Sequence, residues 1–242
     1  MSAPVTSWIL ALVIVAGGLF AAGRPLSAQD WLLKGLVDFF GISRSVSQLR
    51  SSSGDTVAGE IWLVPAAGGA KTRLTREGGY RSPVFLPDGK ALLALGDDAL
   101  VRIDIPGGSV TELAKVPGVT RLVGVSRERP DEVAVVAVSD GKPRVEIFER
   151  GSARRRIVRH DPQDERDGLM LAYAEGDERE YGSVRVYTEK QSTSIRQWTD
   201  VFIQSGGGPA VDLTNGNGLS SRQPALSHDG SLVAYVNVGR GR

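Results

Sequence analysis

The chain has 242 residues, 41% hydrophobic and 24% charged, a balance that suits a globular fold and excludes wholesale disorder. Lys plus Arg (29) nearly equals Asp plus Glu (28), which excludes a broad electrostatic grip on nucleic acid. Cys is 0, so disulfides, thiolate metal sites and cysteine nucleophiles are excluded together, while a Gly count of 30 suits a chain of many tight turns.

The first predicted element is apolar. Residues 8–23 read WILALVIVAGGLFAAG, and with residues 5–7 they form an uncharged run of nineteen. A helix needs about 20 apolar residues to cross a bilayer core. Trp8, Ile9, Leu10, Leu12, Val13, Ile14, Val15, Leu19 and Phe20 would carry the lipid contact. Residues 1–28 admit two readings, a retained transmembrane anchor or a signal peptide cut after Ala28. The first seven residues hold no Lys or Arg, and Leu26 stands where a small residue should precede the cut. The anchor is therefore the reading taken.

Residues 29–50 follow as an amphipathic helix and a linker. At 100° per residue Leu32, Leu33, Leu36, Val37, Phe39 and Phe40 share one face, with Trp31 at the start and Lys34 and Asp38 on the other face. Such a helix suits a membrane interface or a docking surface on a partner. Arg24 alone mildly favours a cytoplasmic body by the positive-inside rule, whereas the signal-like start favours the outside. The outside is the expectation carried forward.

Residues 51–242 repeat two short phrases. One is an Asp-Gly phrase, SPVFLPDGKALLAL at 82–95 and QPALSHDGSLVAYV at 223–236, with weaker copies at 130–138 and 166–174. Asp-Gly supplies the positive φ angles of a tight turn between strands. The other is GGAKTRLT at 68–75, GGSVTELA at 107–114 and GGPAVDLT at 207–214, with GSARRRIV at 151–158 as a degenerate copy. Each follows an alternating apolar run, such as IWLVPA at 61–66 or LVRIDIP at 100–106. Alternation halted by glycine reads as a strand entering a hairpin.

The two hairpins take turns along the chain, and a pair of them makes a four-stranded sheet. Four-stranded sheets recurring at about 40 residues are β-propeller blades. The chain enters its repeats on the second hairpin of a blade and leaves on the first. The fold class expected is therefore all-β, a small four-bladed propeller. Its split blade would be closed by the N- and C-terminal hairpins, and the two N-terminal helices would precede it.

Residues 81–114, and residues 221–236 joined to 60–75, resemble the TolB-like propeller repeat. The resemblance covers about 55–242. It implies a propeller, often exported and often a platform for protein partners. Members of that family usually have six or seven blades, and this chain departs from them with four. The resemblance does not carry over the role of TolB in the Tol system.

Catalytic chemistry is thin. His228 takes the Pro place of a Pro-Asp-Gly turn, and His160 lies in a charged loop. No G-x-S-x-G elbow is present; GVSRE at 124–128 lacks the second Gly. Asp177, Glu178 and Glu180 lack the spacing of a calcium loop and read as a solvated loop. No catalytic, cofactor or metal site is expected, and no enzyme. Partner contact is assigned to the aromatics Tyr181, Tyr187 and Trp198 of the long fourth repeat and to the basic run Arg154, Arg155 and Arg156.

Together these expectations describe a membrane-anchored propeller in the bacterial periplasm, an accessory subunit that docks on a larger membrane complex through protein contacts, without nucleic acid. The alternative is a soluble periplasmic propeller, freed by signal cleavage, that binds partner peptides or ligands at its central channel.

Overall fold

The computed structural model describes residues 57–127, 129–152, 154–157, 178–215 and 219–240. Every element among them is a strand. β1 (Glu60–Pro65) and β2 (Thr72–Arg73) open the series. β3 (Tyr80–Phe85), β4 (Ala91–Gly96), β5 (Ala99–Asp104) and β6 (Val110–Lys115) form one antiparallel sheet. β7 (Val119–Val125), β8 (Glu132–Ser139), β9 (Lys142–Glu149) and β10 (Arg154–Ile157) form the next. β11 (Arg179–Tyr181), β12 (Val184–Ser192), β13 (Gln197–Ser205) and β14 (Val211–Asp212) form another. β15 (Leu219–Leu226) and β16 (Leu232–Arg240) do not stand alone: the remaining sheet has the order β15-β16-β1-β2.

That sheet joins two distant parts of the chain. Six register pairs, from Glu60↔Asn237 to Pro65↔Leu232, tie β1 to β16. The four sheets resemble propeller blades, and the shared one closes an edge that would otherwise invite another chain. The repeated phrases now have a physical content. Asp88 Oδ1 accepts the N–H of Lys90 at 3.0 Å, and Asp229 Oδ1 accepts that of Ser231 at 3.1 Å. In both turns the Gly N–H donates back across the turn at 2.9 Å, Gly89 to Leu86 O and Gly230 to Ser227 O. The Thr that ends the glycine phrase is buried in two copies. Thr75 Oγ1 accepts the N–H of Ile61 at 2.9 Å, and Thr214 Oγ1 accepts that of Val201 at 2.9 Å.

The unbroken apolar run of β4 has two buried faces. Leu93 and Leu95 join a cluster with Leu122, Val133 and Val135 of the following blade. Leu92 and Ala94 join one with Ile61, Ala234 and Val236 of the shared blade. In β16 the alternation continues, because Val233 and Tyr235 face Val186 and Val201 instead. Each fully buried aliphatic side chain contributes about 1.5–3 kcal/mol, so the interblade layers outweigh any single surface contact. Backbones also approach closely between blades: a Cβ built on Gly108, which sits at φ +68°, would lie 2.0 Å from the Leu74 carbonyl oxygen.

The N-terminal half of the expected fold is corrected. Among the described residues no helix is long and apolar enough to cross a membrane, and the elements are strands throughout. The expected anchor (1–28, with Trp8, Ile9, Leu10, Leu12, Val13, Ile14, Val15, Leu19 and Phe20) lies outside the described residues. So does the expected helix and linker (29–50, with Trp31, Leu32, Leu33, Leu36, Val37, Phe39 and Phe40). The physical reason for the correction is that an apolar run meets a length criterion without showing a span. The described interblade clusters, meanwhile, are filled by the strands and turns of the sheets themselves. The membrane-anchored docking subunit, its membrane partner and its membrane location all rested on that helix pair, and they are set aside with it.

Candidate functional site

The first strand of each sheet faces the others. β3 packs against β7 and β15, and β15 also meets β11. Residues of all four strands line one cleft, which has a volume of about 240 Å³ including its solvent-open mouth. Its walls are Pro83, Val84, Leu122, Val123, Tyr181, Pro224 and Ala225, and its polar layer is Ser82, Arg121, Arg179 and Gln223.

Those four polar residues come from the first strands of the four blades, at different register positions: Arg121 pairs with Val136 and Arg179 with Val186, while Ser82 and Gln223 fall within bulges. Local backbone irregularities accompany three of them, Ser82, Arg121 and Gln223. The pairing of β3 with β4 shifts register between Arg81 and Val84, and that of β15 with β16 between Arg222 and Ala225. Ser82 and Gln223 sit at these bulges with φ of 51° and 53°. A non-glycine residue is uncommon there, and bulges re-aim side chains at functional positions. β7 also shifts on either side of its arginine, between Val119 and Arg121 and between Leu122 and Gly124.

All four are buried: Ser82 is 4% exposed, Arg121 7%, Arg179 5% and Gln223 4%. The Ser82 N–H donates to Gln223 Oε1 at 2.6 Å, which stitches two adjacent blades and fixes the amide so that its NH₂ is on the other side. Arg179 Nη1 donates to the Glu178 carbonyl at 2.8 Å. The Ser82 hydroxyl is buried without a hydrogen-bond partner among the described residues. The described lining residues include no Asp or Glu.

Beyond this layer Arg127, just after β7, reaches the turn after β15 on another blade. Its Nε–H donates to His228 Nδ1 at 2.9 Å. Burial first, and then the Arg127 charge, hold the His228 imidazole below its usual pKa. The Tyr181 hydroxyl accepts the N–H of Leu226 at 3.4 Å, and burial pushes its phenol up.

Of the residues expected to contact a partner, Tyr181 lines the channel. Tyr187 stacks on its cross-strand partner Phe202 at 5.7 Å, with the Arg185 guanidinium 4.2 Å from its ring centre. Trp198 is half-buried and its Nε1–H donates to Asp200 Oδ2 at 2.7 Å. Arg154, Arg155 and Arg156 lie on β10, the outer strand of its sheet. Both Arg155 Nη atoms donate to the Pro117 carbonyl at 3.2 Å. Glu178 pairs with Arg185 at 2.5 Å; His160 and Asp177 lie outside the described residues. Among the described residues no group of three or more His, Cys, Asp or Glu could hold a metal ion.

Ser82, Arg121, Arg179 and Gln223 were not singled out from sequence. One signal was available: Ser82-Pro83 and Gln223-Pro224 align in the Asp-Gly phrase, so the residue before Pro marks the channel position. β7 and β11 carry no Pro there, which hid the two arginines.

No protein-family model matches the chain, and no curated protein matches it. Solved structures do. A protein described as a TolB from Agrobacterium tumefaciens is similar at 17% identity and a TM-score of 0.37, over 72% of this chain and 59% of that one. TolB from Acinetobacter baumannii is similar at 14% identity and a TM-score of 0.35, over 95% of this chain and 53% of that one. An oligogalacturonate lyase from Vibrio parahaemolyticus follows at 12% identity and a TM-score of 0.32, over 70% of this chain and 50% of that one. The resemblance to TolB-like proteins is one of fold. This chain spans little more than half the length of each TolB chain.

Proposed function

We propose that this chain is a non-catalytic binding propeller that receives a segment of a partner, or a small ligand, at its central channel. The observation that supports this reading is the convergence of four first strands on one cleft, each contributing a buried polar side chain. Buried polar groups lower stability unless they are satisfied. The Ser82 hydroxyl is the one of these groups buried without a hydrogen-bond partner among the described residues, and it lies at the cleft. The walls supply what a bound chain needs beside them, the apolar faces of Tyr181, Pro83 and Pro224.

The test is site-specific photocrosslinking in the producing cell. A photoreactive aromatic residue replaces Tyr181 in the channel or Val110 on the outermost strand β6, which is 41% exposed. A discrete adduct from position 181 and none from 110 is the expected result. Adducts from 110 with none from 181 would overturn the reading.

A further inference from the structure

We propose that Arg127 and His228 form a clasp across one end of the central channel, and that protonation of His228 releases it. As a gate for an entering partner, the clasp rests on the channel being the binding site.

The topology places the clasp. β15 packs against β3 on one side and β11 on the other, and β3 packs in turn against β7. In a ring of four first strands β7 therefore stands opposite β15. Val123 of β7 and Ala225 of β15 both line the cleft, and Arg127 and His228 lie just beyond them in the chain. The 2.9 Å bond from Arg127 Nε to His228 Nδ1 thus passes across the end of the channel, where the ring also donates to the Phe85 carbonyl at the end of β3. Tyr181 of β11 completes that end. It lines the cleft, its hydroxyl accepts the Leu226 N–H at 3.4 Å, and it lies within reach of the Arg127 charge.

Hydrogen-bond chemistry makes the clasp sensitive to protons. An arginine N–H can only donate, so Nδ1 is the bare nitrogen of a neutral imidazole. Protonation puts a hydrogen on both ring nitrogens. Nδ1 then has no lone pair to accept with, and two cations face each other. The charged groups that act on the ring are Arg127 from the β7 side and Asp229 from its own turn; β3 offers the Phe85 backbone and β11 the Tyr181 phenol. Asp229 is already engaged by the Ser227 hydroxyl and by the hydroxyl and N–H of Ser231. Those bonds hold its carboxyl down to about 2, so it stays ionised while the imidazole titrates. Burial and then the Arg127 charge keep the imidazole below its usual 6.5. The clasp is whole above that pH and lets go in acid.

The chain has no Cys, so Val123→Cys places a single thiol on one wall of the cleft. Ala225→Cys does the same on the facing wall, and either variant carries the test if the other fails to fold. Labelling by dithiodipyridine is divided by its rate on a free cysteine peptide at the same pH, which gives a protection factor independent of thiolate chemistry. Protection should fall about tenfold between about pH 8 and about pH 4.5, the factor by which losing one charged hydrogen bond shifts an opening equilibrium. His228→Asn keeps an acceptor near the place of Nδ1 and takes up no proton, so protection there should stay high throughout. Arg127→Ala should give low protection at both ends of the range. Protection that does not change with pH, or that falls as much with Asn at position 228, would overturn the clasp. If position 181 crosslinks a partner while protection ignores pH, the clasp falls and the channel reading stands. A pH-dependent protection with no adduct from 181 keeps the clasp and removes the partner reading.

Discussion

Ile61 and Val236 stand far apart in sequence but face each other as register partners. Both are 0% exposed and both sit in the cluster between the shared blade and its neighbour. Ile61→Ala removes three carbons, worth about 2.4 kcal/mol in transfer at ~0.8 per carbon, and the cavity term raises this to about 3–4. Val236→Ala removes two, for about 2 kcal/mol or slightly more. At about 2–4 °C per kcal/mol for a domain of this size, the first lowers Tm by about 6–16 °C. The test lies in the double variant. The side chains share one void, so the combined loss should miss the sum by about 0.5–3 kcal/mol. A control cycle pairs Ile61→Ala with Val135→Ala, whose side chain belongs to a different interblade cluster, and should add within about 0.5 kcal/mol. Urea unfolding of the four proteins in each cycle supplies the numbers. Additivity at 61 and 236 as close as in the control would refute the closure of the first blade by the last hairpin.

Other perturbations separate the remaining pieces of the reasoning. Gly108→Ala places a Cβ 2.0 Å from Leu74 O, whereas Gly89→Ala meets nothing within 4 Å, though both glycines have positive φ. Urea midpoints should therefore show about 1 kcal/mol lost at 89 from the backbone alone and clearly more at 108. Thr214→Val leaves the Val201 N–H without its 2.9 Å acceptor and Asp200 Oδ1 without its 2.9 Å donor, and should cost about 1–3 kcal/mol by the same assay. His228 titrates below 6.5 in the folded state, so the unfolded chain binds the extra proton first. Its contribution is whole above pH 6.5 and is lost as pH falls through the folded value. An NMR titration should show that depressed midpoint, and Arg127→Ala should move it upward.

The turns were legible because their chemistry is local. Asp88-Gly89 and Asp229-Gly230 form tight turns for reasons contained in four residues, and Thr75 and Thr214 close their hairpins in the same way. The sheet order followed, since alternating hairpins leave β1 and β16 each lacking a neighbour. The channel layer was not legible. Its arginines are ordinary basic residues in sequence, and only the meeting of four strands, with register shifts on either side of Arg121, brings them to one cleft. Tyr187 and Trp198, expected from sequence at a partner surface, engage Phe202 and Asp200 of their own sheet. Ile195, at 85% exposure on the β12–β13 hairpin, is the more open apolar side chain there. The N-terminal apolar run had length and polarity but no described contact to test it.

The most direct measurement is photocrosslinking of the full chain in the producing cell, with the photoreactive residue at position 181 in the channel or at position 110 on β6. The account predicts a discrete adduct from 181 and none from 110. Adducts from 110 with none from 181 would contradict it.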